Sequence, residues 1–100
     1  MNESVLSMLS DNLAGGGRAL CAWVTMNEPA VAEALAREAF DAVVLDMQHG
    51  AIDFDGAMRS ILRVALAGKP TIARVPIGAF ALASQLMALW RLRNPRADDR

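Results

Sequence analysis

One hundred residues make at most one small domain or a portion of a larger one, and a hydrophobic content of 54% is more than so surface-rich a body is expected to bury by itself. The formal net charge of -1 offers no electrostatic basis for binding nucleic acid or an anionic membrane, so neither is expected as a partner. Cys21 is the single cysteine, which excludes an intrachain disulfide and fits a reducing compartment.

The opening Met1-Asn-Glu-Ser has no basic region, and no uncharged run approaches the roughly 18 residues of a membrane span, so a cytoplasmic location is expected. Val5, Met8 and Leu9 fall at helical spacing and predict a short amphipathic helix over Ser4–Asn12. Gly15-Gly-Gly17 breaks it; lacking the Lys-Ser/Thr of a phosphate loop, it reads as a flexible connection. Ala19–Val24 is expected to be a strand. Asn27 is expected to cap a helix whose first turn holds Glu28 and Pro29 and which runs to Ala39. Ala42, Val43, Val44 and Leu45 form the short β-branched-rich run of a strand buried on both faces, ending at Asp46. After a loop through Ile52, Asp53 or Asp55 caps a helix over Phe54–Leu66, which Gly68 stops before Pro70. Thr71–Val75 reads as the next strand and Phe80–Leu92 as the last helix.

A helix followed by three strand–helix units predicts an α/β fold with parallel strands, either part of a β/α (TIM-type) barrel or a doubly wound sheet. The lack of G-x-G-x-x-G after the first strand weighs against dinucleotide binding. In such folds, polar residues just past the carboxyl end of a strand sit where ligands bind. Asp46, Gln48, His49 and Gly50 stand there, and Arg74 ends the next strand. His49 is the only histidine and the side chain whose ordinary pKa lies nearest neutrality. Removing a proton alpha to a carbonyl needs such a base and a cation where enolate charge develops. An acid close by, Asp46, could fix the histidine's tautomer. The plainer readings are a loop-bonding His49, a solvated Arg74 and an Asp46 that caps its loop. Cys21 reads as an inert core thiol, and Met87 and Leu89 as packing residues.

The pattern Trp23…Glu28-Pro29…Glu33…Phe40-Asp41…Leu45-Asp46-x-x-His49-Gly50…Arg74-Val75-Pro76…Phe80 resembles the HpcH/HpaI aldolase family of metal-dependent class II pyruvate aldolases. The likeness covers roughly residues 4–89. It implies a β/α barrel, typically of about 250 residues, of which residues 1–89 would be the amino-terminal part. It further implies a cytoplasmic homo-oligomer that uses Mg²⁺ or Mn²⁺ and joins pyruvate, or a related 2-oxo acid, to an aldehyde or reverses that step. Such a carbon–carbon lyase acts on 4-hydroxy-2-oxo acids such as 2,4-dihydroxyhept-2-ene-1,7-dioate. By motif, His49 matches the general base, Arg74 the residue that holds the pyruvate carboxylate or enolate oxygen, and Asp46 an acid supporting the histidine. Gln48, where many members have Glu, and Trp23 match substrate-binding positions.

The metal-ligating acids of the family lie in strands beyond this sequence, so the chain is expected to supply no metal ligand and to be inactive alone. Ala88 stands where the family has an aspartate. Residues 91–100 hold four of the ten basic residues, and 90–100 are expected to be a divergent basic tail read out of frame. Reverse-translated with GC-rich codons and shifted by one base, this stretch can give a Gly-Ala…Ala-Pro-Met segment like the family's continuation. The alternative is a non-catalytic α/β subunit that needs a partner chain.

Overall fold

A computed structural model describes the backbone of residues 3–93 and the side chains of residues 8–88. The elements are α1 (Glu3–Ala14), β1 (Cys21–Val24), α2 (Pro29–Ala36), β2 (Ala42–Asp46), α3 (Phe54–Leu66), β3 (Thr71–Arg74) and α4 (Phe80–Arg93). The strands form a three-stranded parallel sheet in the order β1-β2-β3. Alternating strand–helix units around a parallel sheet are the α/β arrangement that the sequence predicts, consistent with part of a β/α fold.

β2 lies in the middle of the sheet because its five residues tolerate burial on both faces. Val43 and Leu45 are fully buried, each worth roughly 2 kcal/mol of removed apolar surface. On one face they join Ala22 and Val24 of β1 in a cluster with Ala32 and Ala36 of α2, Ala57 and Val64 of α3 and Leu86 of α4. The small side chains let the helices approach the sheet and each other closely.

The other face is different. Period-two alternation and the register bring Trp23, Val44 and Ile72 into one row, with Asp46 and Arg74 in the next. Trp23 is 55% exposed and Ile72 45%, and no residue of this row belongs to the helix-covered core.

Several boundaries depart from the sequence reading for local reasons. β1 starts at Cys21, not Ala19, because Leu20 is pinned from the side: its N–H donates to Asp41 Oδ2 at 2.8 Å. The cap of α2 is Glu28, whose carboxylate accepts from the Ala30 N–H at 3.1 Å, and not Asn27. α2 also ends at Ala36, three residues short of Ala39, where the chain turns. Lys69 Nζ donates to the carbonyls of Glu38 (2.9 Å) and Phe40 (2.6 Å) and holds that turn. Asp53, rather than Asp55, caps α3 by accepting from the Gly56 N–H at 2.7 Å, while Asp55 pairs with Arg59. α3 stops where Gly68 takes φ +79° and the Lys69 N–H reaches back to the Val64 carbonyl, a closing pattern that suits glycine.

β3 ends at Arg74, one residue early, since Pro76 offers no donor and restricts the residue before it. Cys21 is half-buried at the edge of the sheet and Met87 is exposed; from α4, Leu86 is buried in the core and Leu82 packs against it. The side chain of Leu89 and the basic tail beyond residue 93 lie outside the described residues. Among the described residues, no helix is long and apolar enough to cross a membrane.

Candidate functional site at the carboxyl edge of the sheet

Parallel strands bring their carboxyl ends to one edge, and register makes Asp46 and Arg74 direct partners there. Asp46 is 3% exposed, and a carboxylate so placed requires donors on its lone pairs. It has them. Oδ1 accepts from the backbone N–H of Gln48 (3.0 Å) and of His49 (2.9 Å), which folds the chain after β2 into an Asx-type turn. Oδ2 accepts from the indole Nε1 of Trp23 at 3.1 Å and stands 3.5 Å from Arg74 Nη1. The His49 N–H is the largest influence holding the Asp46 carboxyl below the usual carboxylate range. Burial opposes it; the Trp23 indole, the Gln48 N–H and the Arg74 charge reinforce it.

Arg74 is held from three sides. Its Nε donates to Gln48 Oε1 at 2.9 Å, Nη1 points toward Asp46, and its guanidinium carbon lies 5.8 Å from the centre of the Trp23 ring, within cation–π range. The side chain is 39% exposed, and Nη2 has no protein partner among the described residues. An arginine so oriented presents its remaining N–H groups to solvent at the strand ends, a geometry suited to binding a carboxylate or enolate oxygen.

His49 follows on the same turn and is exposed. Asp46 touches its backbone N–H and not the imidazole, so the expected tautomer-fixing contact is replaced by one that fixes the loop carrying the histidine. Gly50 locks that loop to β1. Its N–H donates to the Asp46 carbonyl at 3.1 Å, and the following Ala51 N–H donates to the Thr25 carbonyl at 2.9 Å. A Cβ on Gly50 would run into both carbonyl oxygens.

Trp23, Asp46, Gln48 and Arg74 thus form one connected cluster, and His49 joins it through its main chain. Sequence reasoning placed all five at the carboxyl edge or in the motif, but missed that Trp23 donates to Asp46 and that Gly50 must lack a side chain. The aspartate two and three residues before N–H groups it accepts from was the available signal for the turn.

The cluster does not suit a divalent cation. The lone pairs of Asp46 are already occupied by donors, and among the described residues no three His, Cys, Asp or Glu side chains gather in a metal-binding group. A cavity of about 570 Å³ opens at the opposite, amino edge, lined by Met8 and Leu9 of α1 and by Phe40, Asp41 and Lys69. It shares no residue with the cluster.

The chain matches no profile of a known protein family. It is similar to the hydroxypyruvate/pyruvate aldolase of Rhizorhabdus wittichii, at 39% identity over 62 residues, which amount to 62% of this chain and 25% of the relative. The match therefore spans about a quarter of the relative's length. The likeness is to one part of an aldolase.

Proposed function

We propose that the chain is the amino-terminal part of a carbon–carbon lyase of the pyruvate aldolase type, residues 1–89 corresponding to the first strand–helix units of an HpcH/HpaI-like barrel. The observation that carries this reading is Arg74, held by Asp46, Gln48 and Trp23 with its Nη2 open at the carboxyl edge. The likeness to an enzyme named for hydroxypyruvate and pyruvate supports it.

In this reading Arg74 binds the carboxylate or the oxo oxygen of pyruvate or a related 2-oxo acid. When a 4-hydroxy-2-oxo acid is cleaved, a base removes the hydroxyl proton, the bond between C3 and C4 breaks, and an aldehyde leaves. The electron pair stays on the pyruvate enolate, whose oxygen charge Arg74 stabilises. His49 is proposed as the base, directly or through water, in that step and in the reverse removal of a methyl proton. Asp46 and Trp23 position Arg74. No step is assigned to a metal, because the described residues do not form a cation site. A Mg²⁺ or Mn²⁺ ion is proposed to be held by acids outside this chain, which leaves the chain without turnover by itself. A cytoplasmic homo-oligomer is the proposed setting.

A second reading, a non-catalytic α/β subunit that needs a partner, is favoured by the exposed row of Trp23 and Ile72. Ligand-observed NMR with pyruvate separates the two. The aldolase reading expects millimolar binding that Arg74→Met removes; no binding, or binding indifferent to Arg74→Met, would leave the subunit reading.

A further inference from the structure

We propose that the cavity at the amino edge of the sheet is a second binding site, and that its ligand is a zwitterion with an apolar body: a free α-amino acid with an aliphatic or aromatic side chain. Its volume of about 570 Å³ lies within the range of small-molecule sites. The cavity shares no residue with the Arg74 cluster, so the proposal stands apart from the aldolase reading.

Asp41 and Lys69 stand two positions before the register partners Val43 and Thr71, at the entrances of β2 and β3. Opposite charges so placed would ordinarily pair. The ammonium turns instead to the carbonyls of Glu38 and Phe40, and the carboxylate accepts the Leu20 N–H through Oδ2. Neither belongs to an ion pair among the described residues. Each keeps capacity to bind: Lys69 has three N–H donors and spends two, and Asp41 Oδ1 takes no donor among the described residues. Both charges line one cavity, together with the apolar Met8, Leu9, Ala39 and Phe40.

Charge selects the ligand class. A lone carboxylate that reaches Lys69 meets the opposing field of Asp41, and a lone ammonium at Asp41 meets that of Lys69. A zwitterion offers each wall charge its opposite and adds no net charge. Met8 is 72% exposed, so the wall has apolar surface left for a ligand side chain to cover.

The test titrates the whole chain at pH 7 with L-phenylalanine, 3-phenylpropionate and 2-phenylethylamine, which share a ring and differ in their charged groups. NMR of ¹³C-methyl-labelled methionine reports the site, with the Met8 signal assigned by Met8→Leu. The expected result is a saturable Met8 shift with L-phenylalanine and affinities at least about tenfold lower for both analogues. Asp41→Asn keeps an oxygen for the Leu20 N–H and removes the charge; it should weaken phenylalanine about tenfold and 3-phenylpropionate not at all. Ala39→Trp, at an exposed position of the wall, should abolish binding by filling the space, and it decides the matter if Asp41→Asn lacks native circular dichroism. A site that reads only the ring would bind the three compounds alike, and that result overturns the proposal. So does a Met8 signal unmoved at about 50 mM phenylalanine, or binding that is unchanged in either natively folded variant. Pyruvate binding at Arg74, present or absent, alters none of these outcomes.

Discussion

Asp46 and Arg74 are register partners at the ends of β2 and β3, yet the carboxylate stands closer to backbone than to the guanidinium. Oδ1 lies 2.9 Å from the His49 nitrogen, whereas Oδ2 lies 3.5 Å from Arg74 Nη1. The aspartate is therefore first the organiser of the turn that carries Gln48 and His49, and second the partner of Arg74. Both tasks fall to one buried side chain, which couples the shape of the loop to the aim of the arginine.

Asp46→Asn tests that coupling. An amide has one oxygen where the carboxylate has two, so its NH₂ group must face either the two turn N–H groups or the Trp23 and Arg74 donors. Buried donors then lose their acceptor. We expect a lower urea midpoint for Asp46→Asn and shifted amide resonances at Gln48 and His49. His49→Ala, at an exposed position, should stay within about 0.5 kcal/mol of the unaltered chain.

The same residue sets an acid limit. The Asp46 carboxyl titrates below its ordinary value of 3.8 in the folded chain, chiefly because the His49 N–H binds the charged form. A group whose folded pKa is depressed contributes stability above its unfolded pKa and loses it as pH falls through the folded one. Stability should thus fall as pH drops below about 4. Urea midpoints measured from pH 6 to pH 2 should fall less steeply in Asp46→Asn; parallel slopes for the two chains would contradict this assignment.

Gly50→Ala should be costly although a methyl group is small. The added carbon meets the backbone carbonyls of Asp46 and Thr25, neither of which can rotate away. We expect a loss of about 1–3 kcal/mol, the usual range for overpacking. Displaced Gln48 and His49 amide signals should accompany it.

Leu45→Ala removes a side chain with no exposure at the centre of the sheet. A loss of about 3 kcal/mol is expected, within the range for buried leucine truncation. In so small a body that is a large share of total stability, so thermal unfolding should begin near ambient temperature or cooperativity should be lost.

The open sheet face bears on solution behaviour. Trp23 and Ile72 are exposed, and among the described residues β1 and β3 each have one unpaired edge. Exposed edges and apolar rows favour association. Sedimentation should show self-association of the isolated chain that Ile72→Lys reduces; a monomer at all concentrations would refute this.

The limits of β2 and α3 were legible in the sequence to the residue, because their signals are local: a short apolar run ending in an acid, and an aspartate cap ahead of an amphipathic stretch closed by Gly68. Parallel pairing followed from the alternation of strands and helices, since short connections leave few other topologies. The choice of Glu28 over Asn27 as a cap was not legible, because both can accept from a helix N–H and the outcome depends on where Asn27 is drawn by Asp53, a residue 26 positions on. Nor could the sequence show that Lys69 would hold the turn after α2 by donating to two carbonyls from across the chain.

The candidate site divides in the same way. Which residues stand at strand ends is a matter of local pattern, and Asp46, Gln48, His49 and Arg74 are evident from it. That Trp23, 23 positions before Asp46, donates to its carboxylate, and that Gln48 and not Asp46 takes the arginine Nε, depends on strand register and side-chain direction. Local sequence determined the strands and the polar residues that follow them. Tertiary structure alone decided how those residues share donors and acceptors, because hydrogen bonds are directional over about 3 Å and only the packed sheet brings separate strand ends within that distance.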